Sequence, residues 1–118
     1  MKILSSRKKR ALKIRKKIKE LCVIRLTVYK TLKHIYAQAF TFDGKEVIES
    51  ASSLDKSIKD NLRVGMKKVD VAVMVGELFS KRILLKGIKN LAFDRSGFKF
   101  HGRIKALADA IKNNGVKC

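Results

Sequence analysis

A chain of 118 residues suits one domain, which at that size buries roughly two-thirds of its unfolded surface. Its 46% hydrophobic content excludes disorder through most of the length, and no apolar run approaches the ~20 residues of a membrane span. The net charge of +19 is segregated: +9 in residues 1–20, +3 in 21–42, only +2 in 43–94 and +5 in 95–118.

A merely solvated surface does not sort its charge in this way, whereas a surface made for a polyanion does. The N-terminus is too charged for a secretory signal, although the acid-free stretch 1–19 leaves an organellar presequence open. Cys22 and Cys118 make a poor disulfide framework and suit the reduced thiols of a cytosol-like compartment.

In chain order, residues 5–21 read as a helix. Ser5 or Ser6 is placed to cap it, and Ala11, Ile14, Ile18 and Leu21 form a narrow apolar stripe. Its first turns hold Arg7, Lys8, Lys9 and Arg10, where the helix dipole disfavours positive charge; this predicts fraying of residues 1–10 until phosphates neutralise them. Residues 1–21 are therefore expected to form a basic arm or helix, and 22–118 a single α/β domain. Val23–Tyr29 alternates as a half-buried strand with Ile24, Leu26 and Val28 on one face. Residues 30–33 turn, His34–Phe42 returns, Asp43-Gly44 turns again, and Lys45–Ala51 completes an antiparallel meander. Ser52 or Ser53 is expected to cap a short helix carrying Leu54, Ile58 and Leu62, which Gly65 breaks. A longer helix over Val69–Lys86 ends at Gly87. Ile88–Phe93 reads as a fourth strand, parallel to the first because a helical crossover precedes it. Ile104–Asn113 is the last helix. The expected architecture is an α/β fold with a mixed four-stranded sheet ordered 3-2-1-4, covered by helices.

The stretch Asp94-Arg95-Ser96-Gly97-Phe98-Lys99-Phe100-His101-Gly102-Arg103 then leaves the carboxyl end of the fourth strand and enters a helix N-terminus, a common ligand position in open α/β sheets. Arg95 and Arg103 are suited to bridging phosphates, and Gly97 and Gly102 allow a ligand close to the backbone. Phe98 either stacks on a base or packs beneath the loop. The plainer reading is a basic connection whose aromatics anchor it and whose Asp94 pairs with Arg95 or Arg103.

Enzyme chemistry finds little support. A nuclease of the ribonuclease-H type needs clustered carboxylates for its metals, but the first strand has no acid and Asp43, Glu46 and Glu49 lie in a turn or on the edge strand. Cys22, His34, His101 and Cys118 are too scattered for zinc, and no phosphate-binding or dinucleotide-binding glycine motif is present. No metal or cofactor is expected.

The run from Asp94 to Arg103, followed by Lys105-Ala106-Leu107-Ala108-Asp109-Ala110, resembles the C-terminal signature of the bacterial-type ribosomal protein eighteen family of the large subunit. Arg25-Leu26 and His34-Ile35-Tyr36-Ala37-Gln38 resemble that family's first hairpin. The resemblance spans essentially the whole chain. It implies a non-catalytic protein that binds 5S rRNA in the central protuberance, with large-subunit rRNA and neighbouring ribosomal proteins as further partners, on a cytoplasmic or organellar ribosome. Leu32 stands where proline is usual and Phe100 where tyrosine is usual.

The expected mechanism is recognition of a folded RNA by shape. The helix contributes Arg7, Lys8, Lys9, Arg10, Lys13, Arg15, Lys16 and Lys17. Arg25, Lys30, Lys33, His34 and Tyr36 come from the hairpin, and Arg95, Ser96, Gly97, Phe98, Lys99, His101, Gly102 and Arg103 from the loop. The alternative is an assembly module that binds polyanions nonspecifically.

Overall fold

The computed structural model describes residues 5–21 and 23–118, so the reading of Cys22 lies outside the described residues. The elements are α1 (Ser6–Leu21), β1 (Arg25–Lys30), β2 (Ile35–Phe40), β3 (Val47–Ser52), α2 (Lys56–Lys59), α3 (Lys68–Leu85), β4 (Ala92–Asp94) and α4 (Gly102–Asn113). The sheet order is β3-β2-β1-β4, with β4 parallel to β1 and the other pairs antiparallel. This is the expected mixed sheet.

Register decides which side chains share a face. Leu26 pairs with Ala39 and Val28 with Ala37, so these four point together at α3 and α4. There they meet Val75, Phe79, Ile83, Ile104, Leu107 and Ile111, all fully buried. Each large apolar side chain buried in this layer contributes roughly 1.5–3 kcal/mol. The two helices touch closely at Gly76, where a Cβ would come within 2.8 Å of the Ala110 methyl. Arg25, Thr27 and Tyr29 turn to the opposite face.

Three expectations need correction. β1 departs from a half-buried strand at Thr27, which is also covered, on the side of the sheet that carries α1, while Tyr29 on that face stays exposed. The fourth strand is shorter than expected. Of the apolar run after Gly87, Leu91 donates to the Lys117 carbonyl and Lys117 to that of Lys89, so this part pairs with the C-terminal tail and not with β1. The helix after β3 shrinks to four residues. Neither serine caps it: Ser53 Oγ accepts from the Ile35 N–H, Ser52 Oγ accepts from the Leu54 N–H, and Asp55 occupies the cap position.

Candidate nucleic-acid interface

The parallel pairing of β4 with β1 sets Asp94 beside Thr27, on the face that carries Arg25. Asp94 is wholly buried there. Its Oδ2 receives Arg15 Nε at 2.7 Å and the Thr27 hydroxyl at 3.2 Å, and its Oδ1 receives the Ser96 N–H at 2.9 Å. Arg25 Nε lies 3.8 Å from Oδ2. The carboxylate therefore does not pair with Arg95 or Arg103. The strand ends with Asp94 turned toward α1, so arginines of α1 and β1 reach it first.

Arg25 is 14% exposed, stacked at 4.9 Å on the Phe40 ring, and its Nε has no hydrogen-bond partner among the described residues. Burial pulls its pKa below the ordinary value; Asp94 opposes that pull and Arg15 adds to it. Its place is an internal brace.

The chain after Asp94 doubles back through Ser96 (φ 54°) and Gly97 (φ 76°). This presents two carbonyls to α1. Arg7 Nη1 donates to Ser96 O at 2.8 Å, and Arg10 donates to Gly97 O through Nε at 3.2 Å and Nη2 at 2.9 Å. A Cβ on Gly97 would overlap the Arg7 carbonyl. The close approach that this glycine permits is thus to the protein's own helix. Phe98 packs: its ring meets Tyr29 edge-on at 5.5 Å and lies 4.6 Å from the Arg7 guanidinium.

Charge adverse to the dipole at the start of α1 is thereby used, because Arg7 and Arg10 dock on the loop while Ser5 Oγ accepts the Lys8 N–H. The helix is formed from Ser6 on; residues 1–4 lie outside the described residues. Of the apolar stripe, Ala11 and Ile18 are buried, Ile14 is half-buried and Leu21 is exposed. Lys8, Lys9, Lys13, Lys16 and Lys17 are exposed. Between α1 and Tyr29 lies a cleft of about 410 Å³ lined by Arg7, Lys8, Leu12, Arg15 and Ser96.

The family-model description "Ribosomal L18 of archaea, bacteria, mitochondria and chloroplast" matches residues 1–118. The chain belongs to this family. It is 49% identical over 112 residues to the large ribosomal subunit protein uL18 of Xanthomonas oryzae pv. oryzae, covering 95% of this chain and 93% of that one. It is 46% identical over 113 residues to the uL18 of Idiomarina loihiensis, covering 96% of each. The Pseudomonas fluorescens uL18 is 47% identical over 112 residues, 95% of this chain and 94% of that one. The chain is thus a large-subunit ribosomal protein, structural and not enzymatic, of the rRNA-binding machinery of translation. No group of metal-ligating side chains occurs among the described residues, and no described helix is long and apolar enough to cross a membrane.

The hairpin joins the same surface from its far end. Arg103 Nη2 donates to Thr31 O at 2.8 Å, bracing the β1–β2 turn, and His34 Nδ1 lies 2.9 Å from Ser53 Oγ. Lys30 Nζ lies 5.6 Å from the Phe98 ring. Lys33, Lys99, His101 and Gly102 are exposed, Arg95 is half-buried, and Tyr36 is half-buried on the sheet face away from α3. Sequence reading missed Tyr29, 43% exposed in the wall of the α1 cleft, and Lys68, whose Nζ donates to Leu32 O at 2.6 Å. Tyr29 carried a signal, since it alternates away from the core. Lys68 carried none, because it sits in the charge-balanced middle of the chain.

Proposed function

We propose that this chain binds 5S rRNA and helps to fasten it to the large subunit at the central protuberance, touching large-subunit rRNA and neighbouring ribosomal proteins as well. One observation carries the reading. The three segments that hold the excess charge touch one another: α1 docks on the 94–98 loop through Arg7 and Arg10, Lys30 meets Phe98, and Arg103 holds the β1–β2 turn. Fixing the arginines inward leaves the lysines of α1, with Lys33 and Lys99, as a solvent-facing cationic surface that follows a phosphate backbone. Tyr29, beside the α1 cleft, offers a ring to an unstacked base. The reading carries with it a cytoplasmic ribosome in a bacterial cell.

The test is a salt titration of binding to 5S rRNA with bulk tRNA as competitor. With six to ten phosphates contacted, affinity should fall roughly 10³–10⁵-fold between about 50 and 200 mM salt. Equal competition by tRNA would leave only a nonspecific polyanion binder.

A further inference from the structure

We propose that Lys33, Lys68 and Arg103 together grip one backbone phosphate of the bound RNA, at a cleft between the β1–β2 turn and the first turns of α3 and α4. This deepens the rRNA-binding reading and rests on it.

The three cations come from elements far apart in sequence and converge on one turn. Lys68 Nζ donates to Leu32 O at 2.6 Å, Arg103 Nη2 to Thr31 O at 2.8 Å, and Lys33 lies within that turn. The heads of Lys68 and Arg103 are therefore held in place, and Lys33 lines the same cleft. Donors remain: an ammonium has three and a guanidinium five, more than these bonds use.

No carboxylate pairs with any of the three among the described residues. The nearby acids are engaged elsewhere, since Asp70 accepts the Lys67 N–H and Asp55 pairs with Arg82. The contrast with Asp94 is informative. Where Arg15 and Arg25 converge, the protein supplies a buried anion. Where Lys33, Lys68 and Arg103 converge, it supplies only carbonyl oxygens, and the missing charge is left to a ligand.

Size selects the ligand. The cleft, lined by these three residues with Ile35, Ser53 and Val71, holds about 40 Å³. A water needs roughly 10–15 Å³ on this measure, so there is room for the oxygens of a phosphoryl group and none for a base. Bases belong to the tenfold larger cleft beside Tyr29.

Lys68→Ala and Lys33→Ala should each weaken 5S rRNA binding about fivefold and lower the slope of log affinity against log salt by about 1. Lys68→Arg should stay near wild type, as should Lys81→Ala on the exposed side of α3. In the RNA-free protein, inorganic phosphate should raise the melting temperature above that in chloride of equal ionic strength, and less so in Lys68→Ala. If Lys68→Ala itself melts early, Lys33→Ala decides, because it removes no hydrogen bond within the described residues. Wild-type affinity and slope in both alanine variants, or equal phosphate stabilisation in all, would overturn the site. If the wild-type chain fails to prefer 5S rRNA over tRNA, the functional reading falls separately, and phosphate stabilisation still judges the cleft.

Discussion

Replacing Asp94 with alanine removes the only anion, among the described residues, in a buried cluster that ties α1 and β1 to the loop after β4. The Ser96 N–H and the Thr27 hydroxyl each lose a buried acceptor, at about 1–3 kcal/mol apiece. The Arg15 contact adds less, about 1 kcal/mol, because that side chain is 35% exposed and water screens it. Arg25 is left as an uncompensated buried charge. Breaking a buried pair from one side costs about 3–5 kcal/mol in all, a figure that already includes the partners left stranded, so a total near 4 kcal/mol is expected. For a domain of this size that is a fall in Tm of about 15 °C. A thermal melt followed by far-UV circular dichroism measures it, and the helix signal should fall early as α1 undocks. Adding Arg25→Met should recover part of the loss by removing the stranded charge. A fall of less than about 4 °C, or no recovery in the double variant, would refute the view that this carboxylate holds the helix.

Gly97→Ala meets both a left-handed backbone (φ 76°) and the Arg7 carbonyl, so it should cost more than about 3 kcal/mol, read by urea unfolding. Gly102→Ala has a positive φ but nothing near its Cβ, and should cost only about 1 kcal/mol. At the β2–β3 turn, the Thr41 hydroxyl and the Lys45 N–H hold the Asp43 carboxyl below its usual 3.8. A depressed pKa means stability that is complete above pH 3.8 and lost as pH falls through the lower folded-state value. Urea midpoints should therefore drop more steeply below about pH 4 in wild type than in Asp43→Asn.

The sheet order was legible because its signals are local and redundant: alternation in β1 and β2, Asp43-Gly44 between β2 and β3, and a helical crossover before β4. The length of β4 was not. An apolar run announces a partner without saying which, and part of 88–91 takes the C-terminal tail. The same limit governs the site. Charge density marked α1, the hairpin and the 94–103 loop as one cationic system, but no periodicity says that Arg7 and Arg10 face the loop carbonyls. Asp94 was assigned to neighbours in sequence, Arg95 and Arg103, when strand pairing turns it toward Arg15. Lys68 was invisible because only the packing of α3 brings it to the hairpin.

Along α1 the two kinds of cation divide by task, and that division can be tested without changing charge. Arg7, Arg10 and Arg15 each direct a planar fork into the loop; Lys8, Lys9, Lys13, Lys16 and Lys17 face solvent. A guanidinium can span Gly97 O with two N–H groups, or reach Asp94 and Ser96 Oγ together, as Arg10 and Arg15 do; an ammonium cannot. Arg→Lys at all three positions keeps the net charge of +19 but should lose roughly 1 kcal/mol per fork, about 10 °C of Tm in total. Lys→Arg at Lys8, Lys13 and Lys16 should leave Tm nearly unchanged, within about 0.5 kcal/mol per site. If the triple Arg→Lys variant melts with wild type, α1 is held by its charge and apolar stripe alone, and the directed contacts to residues 94–97 are incidental. If it melts early but regains wild-type RNA affinity once folded in the cold, the arginines brace and the lysines bind.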